Sequence, residues 1–166
     1  MISINVHKDL VGSSLYKEAE ASSVDGTERR VTAVALDSIC HDEQTQGPYL
    51  IKIDVQGAEL DVLRGASEIL LQTEFIMMEV SLFEFFKGGP QFSDVVSFMK
   101  DKGFVCSDIY GFQYRPLDNA LSQVDIAFVK ENGRFRQTHV YATLEQRAIQ
   151  NAQFMTALEK LGNRPV

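Results

Sequence analysis

Asp54, Gln56, Gly57 and Glu59 crowd into the segment YLIKIDVQGAELDVLRGA, Tyr49 to Ala66, where an acid, a glycine turn and a second acid follow a run of apolar residues. A carboxylate such as Asp54 near the end of a buried strand can accept a proton from a substrate hydroxyl, orient an amino group of a cofactor, or hold a divalent cation. It can equally cap the next helix through the backbone N–H groups around Ala58 and Glu59. Glu79 closes a second apolar run, FIMMEV at Phe75 to Val80. If the two runs are neighbouring strands, Glu79 and Asp54 open on one crevice, and paired carboxylates in a cleft drive one pKa upward. Asp54, Glu79 and Glu59 are therefore the candidates for acid–base chemistry, with Glu59 fitting a first-turn helix residue better than a catalyst. Asp54, Gln56 and Gly57, which make the turn, are the cofactor-binding candidates.

The elements that position these groups follow from periodicity. Ile51, Ile53 and Val55 share one strand parity while Leu50, Lys52 and Asp54 share the other, which places Lys52 for an ion pair with a nearby carboxylate. Ligands of open α/β sheets bind at the carboxyl ends of such strands. Gly57 turns the chain, and Ala58 to Val62 open a helix with an acidic first turn. Gly65 costs that helix roughly 1 kcal/mol relative to alanine and ends or bends it.

Upstream, Ile2, Ile4 and Val6 alternate as a first strand, Glu18 to Arg30 read as an exposed loop or hairpin, and Val31 to Leu36 are β-branched and apolar. Asp37 is placed to cap the short turn after them. Downstream, Phe92, Val95, Val96 and Met99 keep helical spacing with Gly103 as the stop. Phe104 to Tyr110 and Val124 to Lys130 are two more strands, joined through Gly111, Pro116 and Asn119, that can pair antiparallel. Leu144, Ala148, Ala152, Met155 and Leu158 mark an amphipathic C-terminal helix whose apolar face needs a partner, either its own sheet or a second copy.

The central segment resembles the signature of the FkbM-type methyltransferases, a branch of the class I S-adenosylmethionine-dependent enzymes. GSSLY at Gly12 to Tyr16, VTAVALDSI at Val31 to Ile39, FIMMEV, and VDIAFVK at Val124 to Lys130 fall in the family's order, so the resemblance covers roughly residues 2 to 130. It implies a Rossmann-like α/β fold with a mostly parallel sheet and an antiparallel C-terminal end, in residues 1–130, with 131–166 as a helical extension. It also implies S-adenosylmethionine as cofactor and O-methylation of a sugar or other small metabolite. Ser13 and Ser14 match an element that touches substrate or cofactor in that family, although a hairpin turn explains two serines equally well. Gln56 stands where the family often has glutamate. The glycine-rich turn that opens such domains has no counterpart, since no two glycines form a GxG. The resemblance is thus to the C-terminal part of the domain with the glycine-rich half missing. That leaves a rival expectation, a non-catalytic methyltransferase-like module that acts by interaction.

Composition narrows the field. With 45% hydrophobic and 23% charged residues, 166 residues make an ordinary globular protein able to bury a full core. A net charge of −7 argues against a nucleic-acid partner, which Lys and Arg clusters would be needed to hold. Cys40 and Cys106 belong to no CxxC, so a reduced, cytoplasmic setting without zinc is expected. No apolar run reaches membrane-spanning length, and no signal peptide is expected. The three histidines fit no metal template, and His7 and His41 read as surface or loop residues. Phe83, Phe85 and Phe86 can line a substrate pocket or pack in the core.

Overall fold

The computed structural model describes residues 1–8, 10–20 and 26–162. The chain divides into two compact units, Met1–Arg136 and Gln137–Val166.

In the first unit, Ile2–Val6 (β1) and Thr27–Val31 (β2) pair antiparallel as a two-stranded ribbon. β2 starts inside the stretch expected to be an exposed loop or hairpin and ends at Val31, the first of the β-branched, apolar residues. Its residues, TERRV, are all exposed, so backbone pairing to β1 holds it and no apolar alternation marks it. Ala19 N–H donates to the Phe85 carbonyl and Lys87 N–H to the Lys17 carbonyl, which ties the start of the same stretch to the loop after the second apolar run. Residues 21–25 of that stretch lie outside the described residues.

Leu36–Asp42 (α1), Tyr49–Ile53 (β3), Glu59–Arg64 (α2), Thr73–Ser81 (β4), Phe92–Asp101 (α3), Phe104–Tyr114 (β5) and Leu121–Lys130 (β6) follow. The four later strands form one sheet in the order β3-β4-β6-β5. β3 pairs parallel with β4, while β4 with β6 and β6 with β5 pair antiparallel. The antiparallel C-terminal end is as expected, but the sheet contains a single parallel ladder where mostly parallel pairing was expected. A parallel neighbour needs a crossover, and α2 supplies it between β3 and β4. The β5–β6 hairpin instead folds its second strand in beside β4. Gly111 sits within β5 rather than in the connection.

Alternation along β4 separates two faces. Ile76, Met78 and Val80 point to one side with Ile53, Val124, Ile126 and Phe128, and Leu60, Leu63, Val95, Met99 and Phe104 complete this core. Each such side chain contributes about 1.5–3 kcal/mol on burial. On the other face Phe75, Met77, Glu79 and Ser81 are half-buried, and Leu50 and Lys52 of β3 are exposed.

The helix ends explain the boundaries. Gly65 is the C-cap of α2, as its position in the pattern suggested. Asp37 does not cap the turn that follows it. Its carboxylate accepts the backbone N–H groups of Glu68 and Ile69 and the Ser67 hydroxyl, capping the 3-10 helix Ile69–Gln72 from across the fold. α3 opens with a reciprocal capping box between Gln91 and Asp94, and Gly103 behind it has φ +80°.

The second unit carries helix Leu144–Gly162 (α4), entered through a Thr143–Gln146 reciprocal cap. Leu144, Met155 and Leu158 are exposed, and so are Ile149, Phe154 and Leu161 outside the anticipated stripe. Both cysteines are free. Among the described residues no helix is long and apolar enough to cross a membrane.

Candidate functional site

β3 delivers Asp54 just past its carboxyl end, and the two residues after Val55 make the turn in left-handed conformations, Gln56 at φ +53° and Gly57 at φ +90°. A glutamine is strained there. Ser14, only 2% exposed, offsets this by donating its Oγ–H to the Gln56 carbonyl at 2.5 Å. Ser14 is itself fixed by backbone hydrogen bonds to Asn5 in both directions. Ser13 turns away, accepting the His7 N–H and donating to the Leu10 carbonyl. Thus one serine of the pair supports the turn and the other shapes its own loop.

Asp54 does not cap α2. The N-cap position, Ala58, has no side-chain cap bond, and the Gly57 N–H goes to Glu59 Oε1 at 3.1 Å. The Asp54 carboxylate accepts instead from Lys52 Nζ at 3.2 Å and Gln56 Nε2 at 3.3 Å, with its side chain 52% exposed. Glu59 is buried against the turn it holds, and burial pushes its carboxyl above the ordinary range despite the N–H groups it receives.

Glu79, on the half-buried face of β4, is the meeting point of four elements. Its Oε1 accepts Gln113 Nε2 at 2.8 Å; its Oε2 accepts Gln123 Nε2 at 3.0 Å and Gln56 Nε2 at 3.4 Å. The Gln56 amide therefore touches both Asp54 and Glu79, joining the two strand-end acids. Burial raises the Glu79 pKa, as do the charges of Asp54 and Asp125, while the Gln113 and Gln56 amides oppose the rise. Asp125 stands directly opposite Glu79 in the β4–β6 ladder.

Two hollows flank Asp54. One of about 510 Å³ runs along β3 beneath Leu36, Cys40, Tyr49 and Val62. The other, of about 390 Å³, lies between Asp54, Gln56 and the Leu10–Leu15 loop. A third, of about 480 Å³ beside Tyr141 and Gln150, belongs to the C-terminal unit and has no carboxylate or base in its lining.

The sequence thus pointed to Asp54, Gln56, Gly57, Glu59 and Glu79, and the fold brings all five around one turn. Gly57 packs under Phe86, whose ring would meet an added Cβ at 2.7 Å. Phe83 lies under the Arg115 guanidinium at 4.0 Å and near Phe85 at 5.9 Å. His7 pairs with Glu18 at 3.3 Å, and exposed His41 pairs with Asp42. Among the described residues no group of His, Cys, Asp and Glu is arranged to hold a metal ion. Gln113, Gln123 and Asp125 were not anticipated. The signal for Asp125 was present, because it is an acid within the apolar strand VDIAFVK, on the parity of Ala127; nothing in the spacing marks the two glutamines.

The model of the FkbM methyltransferase domain matches residues 5–106, ending within β5, short of the VDIAFVK strand that the resemblance included. No curated protein and no solved structure matches the chain. FkbM methyltransferases generally depend on S-adenosylmethionine. With most of its length matched, and with the strand, turn and helix that carry the motif in place, the chain belongs to the FkbM methyltransferase domain family.

Proposed function

We propose that this chain binds S-adenosylmethionine at the carboxyl ends of β3 and β4 and methylates a hydroxyl of a sugar or similar small metabolite. The observation that carries the reading is the Asp54–Gln56–Glu79 arrangement, in which two strand-end acids are joined by one amide. The residues present fit such a cofactor. Its sulfonium and amino group are cations suited to the Asp54 carboxylate, and the hollow of about 510 Å³ beside Asp54 is largely apolar and of a size usual for ligand sites. Tyr49, Ile51 and Val55 would lie along its flat, uncharged part. Bound there, the cofactor would supply an electrophilic methyl group.

The protein's own contribution is mostly positioning, which can lower a barrier by about 7 to 11 kcal/mol. The fixed turn at Gln56 and Gly57 holds Asp54, and the half-buried Glu79 receives or directs a hydroxyl proton.

The test is transfer of labelled methyl groups to a panel of small polyhydroxylated acceptors, with Asp54→Asn beside the wild type. A loss of about 10- to 100-fold in transfer at limiting cofactor, with the melting temperature nearly unchanged, is expected from removing one charge-assisted contact to the cofactor. Equal losses of turnover and stability would make Asp54 a structural residue. A second reading, a methyltransferase-like interaction module, is favoured by the edge of β3. Among the described residues its outer side is unpaired, and Leu50 there is 64% exposed.

A further inference from the structure

Gln113 and Gln123 reach Glu79 through irregularities of β5. The β5–β6 ladder shifts register between Tyr110 and Gln113 and again between Gln113 and Tyr114. Bulges re-aim side chains beside functional sites. Here the shift sets Gln113 directly opposite Gln123 and brings both amides onto Glu79. Gly111, at φ +61°, supplies the bend: a Cβ there would lie 2.1 Å from Asp125 Oδ2. The Gln113 carbonyl is held by the Ser122 hydroxyl at 2.9 Å, so its residue is anchored on both sides.

Lone pairs then decide what Glu79 has left to offer. A carboxylate has about four acceptor positions. Gln56 and Gln123 occupy Oε2, and Gln113 occupies one position on Oε1. Among the described residues no other donor reaches Oε1, so one acceptor position on it remains.

We propose that Gln113 and Gln123 are positioning residues of the acceptor site: they hold Glu79 so that the remaining Oε1 position receives the hydroxyl proton of the acceptor. This makes the β5–β6 hairpin part of the acceptor site, and it rests on the methyl-transfer reading above. The acceptor is thereby a molecule with a hydrogen-bond-donating hydroxyl: its oxygen would take the methyl group of S-adenosylmethionine as the carbon–sulfur bond breaks and S-adenosylhomocysteine leaves, and its proton would pass to Oε1. The charged groups facing Glu79 are Asp54 beyond β3, Asp125 on β6 and Glu59 on α2, with Lys52 compensating Asp54. Asp54 and Asp125 oppose ionisation of Glu79, and Glu79 in turn opposes that of Glu59. The amides counter them, because N–H donors favour the ionised carboxylate.

The experiment is a carboxyl ¹³C titration of Glu79 by NMR in the wild type, Gln113→Met and Gln123→Met. It is paired with calorimetry against S-adenosylhomocysteine and with the pH profile of methyl transfer. The glutamine variants should titrate Glu79 at higher pH, and the acid limb of the methyl-transfer profile should move up with it. S-adenosylhomocysteine affinity should stay within about twofold. An unmoved titration overturns the inference, and so does a moved titration with an unmoved acid limb. If the wild type binds no S-adenosylhomocysteine, the functional reading fails separately, and the titration alone decides whether the amides set the proton affinity of Glu79.

Discussion

Gly57 carries two constraints at once, a φ of +90° and the Phe86 ring above the place where a Cβ would stand. Gly57→Ala should therefore cost about 1–3 kcal/mol through backbone strain alone, with ring displacement added, and urea denaturation reads it directly. An unchanged urea midpoint would show that the turn relaxes freely. At this scale the sequence was legible wherever a residue type has few uses. A glycine after an acid at a strand end, and acids closing apolar runs, locate Asp54, Gly57 and Glu79. Glutamines have many uses on a surface, so Gln113 and Gln123 carried no mark. Gln56 looked only like a missing charge, yet its amide bridges two carboxylates, where a third acid would add repulsion.

Among the elements, the most informative case is Asp37, which sits in the first turn of α1 and caps a 3-10 helix thirty residues on. Burial raises its pKa, but the donors of Glu68, Ile69 and Ser67 outweigh burial and leave it lowered. A lowered carboxyl contributes stability that is present above the unfolded value of 3.8 and is lost as pH falls through the folded one. Asp37→Ala should cost about 1 kcal/mol at neutral pH, a difference that narrows in acid; thermal unfolding across that pH range checks it. Local sequence could offer Asp37 as a cap but could not say which helix it serves. β2 escaped for a related reason, because a fully exposed strand has no periodicity to read, whereas β3, β4 and α3 bury one face and were legible from spacing. Strand direction beyond β4 depends on which side of the sheet the β5–β6 hairpin enters. Alternation within a strand does not encode that.

For the molecule as a whole, every residue of the buried core falls within Met1–Arg136, and so do Asp54, Glu79 and their partners. The helices α2 and α3 pack one face of the sheet, and the acids and amides open on the other. Family membership accounts for the motif, while the chemistry assigned to this chain rests on the hollow beside Asp54 accepting the cofactor. Calorimetric titration of the chain with S-adenosylhomocysteine tests that most directly. The account predicts saturable, one-to-one binding that weakens in Asp54→Asn, and an absence of heat at millimolar ligand would contradict it.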